Sequence, residues 1–410
     1  MNVQATGLSA VLAERVSFAG AGEITRDVRP GDPVYLFSEA CLARRLQRFR
    51  SGFPGLVSYA VKANPEARVI RTLVAGGVTH LDVASIGEIE AVAALQPGAT
   101  LHFNNPVKAE DAVATAYRLF KVRSYALDEL SELEKIRRAT RSSPDILYSV
   151  RFRLPHGAAS YDFGSKFGAT PDTAIDMLRR IAALGARAAL IFHPGSQCTD
   201  PELYYRYLQT AACIIRRAGV RVEQINVGGG FPEYYENTSA PILDRYFDAI
   251  ERAASDCFEE APLLMCEPGR ALVASSISLL TRVIHVRGDD GTVFLNDGVY
   301  GGMQEQALVD IRFPVRAWRR GTLLEGERIS RRVFGPTCDP VDRLSGEIAL
   351  PRSLQAGDYL EFGLLGAYGS ATSTAFNGFR SSRYFNVDCG FRGTVPAATG
   401  ECANCDLQRV

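Results

Sequence analysis

The chain has 410 residues, of which 46 are basic and 46 acidic, so its formal charge is zero. No global field therefore draws it to nucleic acid or to a membrane surface, and small-molecule chemistry is the favoured class of function. This length allows two domains, one of which can be as large as a barrel.

Targeting signals and disulfides are not indicated. No stretch reaches the about 20 apolar residues that a membrane helix needs, and the first residues lack the pattern of a signal peptide. The nine cysteines are an odd number scattered singly along the chain, unlike a secreted disulfide framework. We therefore expect a cytoplasmic protein. Cys402 and Cys405 form a CxxC pair without an obvious second ligand pair, and we interpret it as a feature of the tail, not a metal site.

Short apolar runs alternate with amphipathic segments through the first two thirds of the chain. The eight runs are LVSYAVK (56–62), HLDVAS (80–85), LHFNN (101–105), SYALD (124–128), ILYSVRF (146–152), AALIFH (188–193), EQINVGGG (223–230) and LLMCEPG (263–269). Segments between them, such as TPDTAIDMLRRIAALG, have apolar residues at helical spacing. Eight strand and helix repeats favour an α/β fold, a closed TIM-like (β/α)₈ barrel, and leave a doubly wound open sheet as the alternative.

The pattern changes after Ala274 to alternating, β-branched runs with Gly-rich turns, which predicts a second domain of mostly antiparallel strands. We expect a barrel over 38–274 and a β-sandwich or barrel-like domain over 275–395. An N-terminal segment from about residue 10 to 37, with a strand near DPVYLFS, is expected to join the second domain. Residues 396–410 read as a polar tail.

Polar residues follow the predicted barrel strands where each strand ends. They are Lys62, Asp82 with Ser85, Asn105, Asp128, Arg151, His193 with Ser196, Gly228–Gly230, and Glu267 with Arg270. Active-site residues of such barrels gather at the carboxyl ends of the strands. An anionic cofactor with a reactive carbonyl is indicated by the combination at one mouth of an amine, carboxylates, an imidazole, a glycine turn and an arginine.

Each of these features has a plainer alternative. Lys62 ends an apolar run, where its ammonium would lose hydration and favour the neutral amine that attacks an aldehyde, but it is otherwise a rim lysine. The three glycines of NVGGGFP suit a phosphate or a plain tight turn. Glu267 and Arg270 suit a heterocyclic nitrogen and a phosphate, or a surface salt bridge. His193 either points into the mouth or is structural.

In combination the motifs resemble the pyridoxal-phosphate-dependent decarboxylases with an alanine-racemase-like barrel (fold type III), and most of all their ornithine decarboxylase branch. This family also includes diaminopimelate and biosynthetic arginine decarboxylases. The resemblance covers about residues 30 to 390 and depends on YAVKAN, LDVASIGE, NNPVK, SKFGA, FHPGSQCTDP, NVGGGFP, CEPGRALVA, NDGVYGG, GPTCDPVDRL and GAYGSATSTAFNGF.

The resemblance implies roles for matching positions. Lys62 would form the Schiff base with pyridoxal 5'-phosphate, His193 would stack on its ring, and Glu267 would pair with its pyridine nitrogen. The other cofactor-binding residues implied are Asp82, Glu88, Arg151, Ser196, Gly228, Gly229, Gly230, Gly269, Arg270 and Tyr368, of which Ser196, Gly229, Gly230, Arg270 and Tyr368 would hold the phosphate.

The resemblance also implies a substrate and a partner. Cys338 would return a proton to the α-carbon after carbon dioxide leaves, while Asp339 and Asp310, with Tyr300, would bind the distal amine. In the family, the loop that carries Cys338 and Asp339 reaches the partner's active site, which implies a homodimer.

L-ornithine is the substrate we expect, with putrescine as the product and polyamine biosynthesis as the pathway. Lysine, arginine, diaminopimelate or a pathway-specific diamino acid stay open, because Val309 stands before Asp310 where ornithine-specific members usually have an aromatic residue. Diaminopimelate decarboxylases carry glutamate in place of Asp339.

Two rival functions are weighed against decarboxylation. A racemase on the same barrel would lack the pair Cys338 and Asp339. A catalytically silent, regulatory homologue would tend to lose the lysine, the phosphate loop or the cysteine, and this chain has all three.

Overall fold

The computed structural model describes residues 17–154, 166–309 and 311–391. Strand β1 (Val34–Phe37) precedes eight parallel strands that close into a barrel. The barrel strands are β2 (Leu56–Ala60), β3 (His80–Val83), β4 (Thr100–Phe103), β5 (Ser124–Leu127), β6 (Leu147–Arg151), β7 (Arg187–Ile191), β8 (Gln224–Asn226) and β9 (Leu263–Cys266). The register pair Leu56 and Met265 joins β2 to β9. The closed barrel is therefore confirmed, and the doubly wound alternative is wrong.

Eight helices of nine residues or more lie among the described residues. They are α1 (Glu39–Gly52), α2 (Ala67–Ala75), α3 (Ile86–Leu95), α4 (Glu110–Phe120), α5 (Leu130–Ala139), α6 (Pro171–Ala183), α7 (Glu202–Ala218) and α8 (Leu243–Cys257). Shorter helical turns are Ala21–Glu23, Ile24–Val28, Val61–Ala63, Arg270–Val273, Ala274–Ser276, Glu305–Leu308 and Phe376–Gly378. No helix in the described part of the chain is long and apolar enough to cross a membrane.

Local chemistry explains where these helices begin and end. The hydroxyl of Thr170 accepts a hydrogen bond from the backbone N–H of Thr173, and Pro171 occupies the first turn of α6, where its missing N–H costs nothing. Helix α7 ends at Gly219, whose φ of +66° is the left-handed conformation that glycine adopts without strain. The sequence signals of these helices are thus the ones the structure uses.

The second group of strands is mostly antiparallel, as expected. Its strands are β10 (Ile277–Val286), β11 (Val293–Leu295), β12 (Val315–Arg319), β13 (Thr322–Leu323), β14 (Arg328–Arg331), β15 (Val333–Phe334), β16 (Ile348–Pro351), β17 (Tyr359–Phe362) and β18 (Arg383–Asn386). The main sheet has the order β13-β12-β17-β10-β1-β18, with β11 paired to β10 and β15 paired to β11. Only the β1 to β18 and β11 to β15 pairs are parallel among the described strands of this group.

Backbone contacts divide the chain into two compact units. The barrel unit comprises Ala43–Tyr234 and Thr238–Leu272, and the β unit comprises the described residues up to Leu42, Tyr235–Asn237 and the described residues from Val273 onward. Strand β1 belongs to the β unit, where it pairs antiparallel with β10.

An aromatic cluster packs behind one side of the barrel. The rings of Phe192 and Tyr207 stack with centroids 4.5 Å apart, and those of Tyr204 and Phe231 stack at 5.0 Å. The ring of Tyr246 meets that of Tyr204 edge to face. All five rings are buried. Aromatic pairs in such arrangements add to the stabilisation that burial provides. Phe192 is the first residue after β7, so the cluster restrains the position of the segment that follows this strand.

A chain of polar side chains crosses three barrel strands. His80 Nδ1 lies 2.9 Å from His102 Nε2, and His102 Nδ1 lies 3.0 Å from Ser124 Oγ. Burial lowers the pKa of His102 to about 3, and the neighbouring His80 contributes in the same direction. The folded protein therefore keeps His102 neutral at pH values where the unfolded chain protonates it.

We expect this histidine to make stability depend on pH. Because the folded pKa lies below the unfolded value of 6.5, the stabilisation is present above pH 6.5 and is lost as the pH falls. The loss is at most about 1.4 kcal/mol per pH unit for one proton. Urea unfolding at pH 7 and pH 5 should show that His102→Gln loses less stability on acidification than the wild type. The exposed residue His285 gives the control His285→Gln, and equal pH dependence of all three proteins would contradict the prediction.

Candidate functional site

Lys62 lies in a short helical turn, Val61–Ala63, directly after β2. Its Nζ is 3.7 Å from Oδ2 of Asp82, a buried residue of β3. The lysine side chain is 43% exposed, whereas that of Asp82 is 6% exposed. The expected loss of hydration is therefore not found at Lys62 in the protein alone. The amine is partly exposed at the mouth and lies beside a buried carboxylate.

The electrostatics of Asp82 result from burial against two cations. Burial raises its pKa, while the charges of Lys62 and Arg151 oppose that shift. Arg151 ends β6, and burial lowers its pKa against the charges of Glu267, Asp128 and Asp82. Positive and negative groups from several strand ends thus face one another across the mouth.

Glu88 is placed beside this cluster by the start of α3. Ser85 Oγ accepts a hydrogen bond from the Glu88 N–H at 3.2 Å, and Glu88 Oε2 accepts one from the Ala84 N–H at 2.7 Å. These bonds satisfy N–H groups at the start of the helix. Burial raises the pKa of Glu88, and the charge of Asp82 adds to the shift.

His193 follows β7 and is held in one orientation. Its Nδ1 accepts a hydrogen bond from the Gly195 N–H at 3.1 Å, so in the neutral ring the proton is on Nε2. Burial lowers its pKa well below the usual value, and the charges of Lys62 and Arg151 contribute. His193 is therefore a neutral imidazole that presents a fixed ring to the mouth.

The glycine loop after β8 packs against these same segments without spare room. A Cβ on Gly228 would lie 2.3 Å from the carbonyl oxygen of Phe192, and one on Gly229 would lie 2.6 Å from that of Glu267. Gly228 and Gly230 have φ values of +70° and +92°. The hydroxyl of Tyr204 donates to the Gly229 carbonyl at 2.7 Å. No side chain other than hydrogen fits this loop.

The N–H groups of the loop determine what it can bind. Gly228 donates to Asn226 Oδ1 at 2.9 Å. Among the hydrogen bonds of the described residues, none uses the N–H of Gly229 or Gly230. Backbone N–H groups of a glycine loop that have no acceptor among the described residues suit an anion such as phosphate. The half-buried Ser196 lies on the segment after β7 against which this loop packs.

Glu267 follows β9 and is a buried carboxylate with two amide donors. Asn226 Nδ2 donates to its Oε1 at 2.5 Å, and Asn104 Nδ2 donates to the same oxygen. Burial raises the pKa of Glu267 and Asp82 adds to the shift, while Lys62 and both amides oppose it. Since both amides use Oε1, Oε2 is the oxygen that can meet a further donor. A protonated ring nitrogen would supply the missing positive charge.

Arg270 is buried and begins the helical turn Arg270–Val273. Gly269, just before it, has no room for a side chain, since a Cβ there would lie 2.8 Å from the Cβ of Ala63. The turn that carries Arg270 is therefore in contact with the turn that carries Lys62.

The β unit holds a second group of expected site residues. Tyr300 OH donates to Asp339 Oδ2 at 2.5 Å, and this bond, with one from the Val341 N–H, lowers the pKa of Asp339. The thiol of Cys338 is exposed, with its Sγ 3.4 Å from Asn377 Oδ1. An ionised carboxylate and an accessible thiol thus lie on consecutive residues.

The buried carboxylate of Asp342 shapes the loop that carries them. It accepts hydrogen bonds from the N–H groups of Val299 at 2.9 Å and Thr337 at 3.0 Å. A Cβ on Gly298 or Gly335 would lie within 2.3 Å of its Oδ1. Asp342 therefore holds together the segment before Tyr300 and the segment before Cys338.

Of the two remaining expected residues, only Tyr368 lies in the described part of the chain. It belongs to the β unit and has a φ of +56°, and its carbonyl accepts a hydrogen bond from the Thr372 hydroxyl at 2.5 Å. Asp310 lies outside the described residues, as do Cys402 and Cys405.

Sequence reasoning missed several residues that arrange the site. Asn104 bonds to Glu267, whereas the sequence analysis singled out its neighbour Asn105 at this strand end. Asn226 and Tyr204 were not singled out. The two asparagines were visible as polar residues at strand ends, in LHFNN and INVGGG. Tyr204 lies on a helix far from the motif, where no local signal marks it.

Comparisons with known proteins identify the family to which the chain belongs. Residues 39–274 match the family model described as pyridoxal-dependent decarboxylase, pyridoxal binding domain. The chain is 32% identical over 370 residues to a chloroplastic ornithine decarboxylase of Nicotiana glutinosa, covering 85% of this chain and 82% of the relative.

Two solved structures resemble the protein closely. One is a lysine/ornithine decarboxylase of Vibrio vulnificus complexed with putrescine, at 28% identity and a TM-score of 0.78, covering 90% of this chain and 99% of that one. The other is an arginine decarboxylase of Paramecium bursaria Chlorella virus bound to agmatine, at 26% identity and a TM-score of 0.78, covering 87% and 98%.

Proposed function

Since this chain belongs to the family of pyridoxal-dependent decarboxylases, we propose that its substrate is L-ornithine and its product putrescine. Pyridoxal 5'-phosphate is the cofactor of this family. The observation that carries the cofactor chemistry is the buried carboxylate of Glu267 in the same mouth as Lys62 and the glycine loop, because together they match the three functional parts of this cofactor. The choice of ornithine is supported by the ionised Asp339, which suits a distal ammonium, and by the names of the relatives.

The residues of the barrel unit fit that cofactor. Lys62 would bind its aldehyde carbon, and the N–H groups of Gly229 and Gly230, with Arg270, would bind its phosphate. Glu267 would hold a proton on its ring nitrogen. When bound, this cofactor supplies a ring that accepts the electron pair released as carbon dioxide leaves.

We assign the other cofactor-binding positions by the same reasoning. His193 would support one face of the ring, for which a neutral imidazole of fixed orientation is suited. Asp82 and Arg151 would supply the negative and the positive charge that surround the Lys62 amine. The remaining assignments are Ser196, Gly228, Gly269, Glu88 and Tyr368.

Cys338 and Asp339 would act on the substrate. The thiol of Cys338 would deliver a proton to the α-carbon, and the ionised Asp339, with Tyr300, would bind the distal ammonium. Asp310 is assigned to the same ammonium from its place in the sequence. A distal ammonium is present in ornithine and lysine, and relatives named for both are similar to this chain.

A homodimer and a reducing compartment belong to the same proposal. The exposed apolar side chains of Val341, Phe376 and Phe379 are found in the same unit as Cys338 and suit contact with a second copy. The seven cysteines in the described part of the chain are free thiols, and Cys338 can donate a proton only as a thiol. We therefore place the reaction in the cytoplasm, at the entry to polyamine formation.

The first test is the covalent link. Reducing the holoenzyme with borohydride should leave a pyridoxyl group on the peptide that contains Lys62, detected by its mass. Lys62→Ala should carry no adduct and lack decarboxylase activity, because the amine that presents the cofactor is gone. The exposed Lys121 provides the control Lys121→Ala, which should behave as wild type. An unmodified Lys62 peptide in the wild type would refute the assignment.

The substrate is tested by measuring carbon dioxide and product amine for ornithine, lysine, arginine and diaminopimelate. Ornithine should give the highest kcat/KM. Asp339→Asn should reduce kcat/KM for ornithine at least about tenfold, because the bound ammonium then loses its counter-charge. A higher kcat/KM for another amino acid would replace ornithine as the substrate while leaving decarboxylation in place.

The shared site is tested by mixing two inactive variants, Lys62→Ala and Cys338→Ala. If each site takes Lys62 from one chain and Cys338 from the other, random exchange should restore about one quarter of wild-type activity, because half of the dimers then hold one intact site. Mixtures that stay inactive, although exchange is verified by mass, would show that each site uses one chain.

A further inference from the structure

Lys108 is a buried cation outside the group of residues assigned so far. Its side chain is 0% exposed, and its Nζ lies 3.1 Å from Glu132 Oε1. The same nitrogen donates to the carbonyl oxygens of Asn105 at 2.8 Å, Pro106 at 3.2 Å and Ala126 at 2.6 Å. A buried ammonium is tolerated only when it is paired and hydrogen-bonded in this way.

The pair has a third member that completes it. Lys135 Nζ lies 2.5 Å from Glu132 Oε2 and donates to the Lys108 carbonyl at 2.6 Å. Burial lowers the pKa of Lys108 to about 8, and Glu132 opposes the shift. An apolar side chain would fill this position without the cost of burying a charge. The three hydrogen bonds to carbonyl oxygens, which an apolar side chain could not form, explain why a charged side chain is buried here.

Those carbonyls belong to the loop that follows β4 and to the neighbouring strand β5. The carbonyl of Asn105 is one residue away from Asn104, whose side chain donates to Glu267. On its other side, the Asn104 N–H donates to the Val83 carbonyl at 3.2 Å. Through Lys108 and Val83, the backbone on both sides of Asn104 is fixed.

We propose that Lys108 is a positioning residue for the cofactor: by fixing the backbone at Asn105 it aims the Asn104 amide at Glu267 and so orients that carboxylate toward the ring nitrogen. The inference rests on the proposed function, in which Glu267 pairs with that nitrogen. It adds one requirement: Lys108, which is not itself assigned to the cofactor, should affect the contact of Glu267 with the ring nitrogen and leave the other cofactor contacts unchanged.

The experiment compares two ligands on the full-length protein freed of cofactor. One is pyridoxal phosphate, and the other is its 1-deaza analogue, in which C–H replaces the ring nitrogen. Lys108→Met should weaken binding of pyridoxal phosphate about tenfold, the scale of one lost polar contact in a buried site. Binding of the analogue should change much less, because it has no nitrogen for Glu267 to meet. Lys121→Met is the matched control and should alter neither affinity.

Three further variants keep the result decisive. Lys108→Met combined with Glu132→Gln removes the anchor and the buried negative charge, and the new amide oxygen can still accept the hydrogen bond that the residue 108 N–H donates to Glu132 Oε1. This variant should therefore fold and show the same selective loss. Asn104→Leu should also lose affinity selectively, and adding Lys108→Met to it should cost little more, because both act through one contact. Equal losses for both ligands, or fully additive losses, would overturn the positioning role.

Failure of the proposed function is recognised separately. If Glu267→Gln in the wild-type background lowers the affinity for neither ligand, the pairing of Glu267 with the ring nitrogen is wrong. If Glu267→Gln shows the selective loss and Lys108→Met does not, the pairing stands and only the role of Lys108 is wrong.

Discussion

The candidate site depends on one buried acidic group, the carboxyl group of Glu267, whose pKa is raised by burial. Removing a carboxylate from water is unfavourable unless hydrogen bonds and an opposite charge replace the solvent. Asn104 and Asn226 supply the hydrogen bonds to one oxygen, and Asp82 adds a repulsion that makes a nearby cation still more favourable. A protonated ring nitrogen is such a cation. Under the proposed function, cofactor binding and the ionisation of Glu267 therefore favour each other.

The barrel, and the grouping of most candidate residues at its mouth, were predictable from the sequence for a physical reason. Parallel strands read as continuous apolar runs, and the residue that ends each run must lie at the common carboxyl edge. The positions of Lys62, His193 and Glu267 along the chain are therefore sufficient to group them at one mouth. The positions of Asn104 and Tyr204 along the chain do not predict their contacts. Their partners, Glu267 and Gly229, are brought to them by the packing of distant segments.

The exposure of Lys62 shows a limit of the same reasoning. The apolar run around it predicted a strand that continues to residue 62, but the strand ends at Ala60 and a helical turn carries the lysine out to the mouth. The run is apolar there because Val61 and Ala63 are buried on either side of Lys62. The apolar run thus correctly predicted that Lys62 lies at the end of β2, and wrongly predicted that its ammonium loses hydration there.

The tight packing of the glycine loop has a consequence for how such an enzyme can diverge. Gly228 and Gly229 each touch the backbone of another strand end, so replacing either would displace several elements at once. The loop with Cys338 and Asp339 is instead fastened by single carboxylates such as Asp342, and the thiol it carries is exposed. Under the proposed function, a change of substrate would therefore require fewer coupled substitutions in the loop with Cys338 and Asp339 than a change of cofactor would require in the glycine loop.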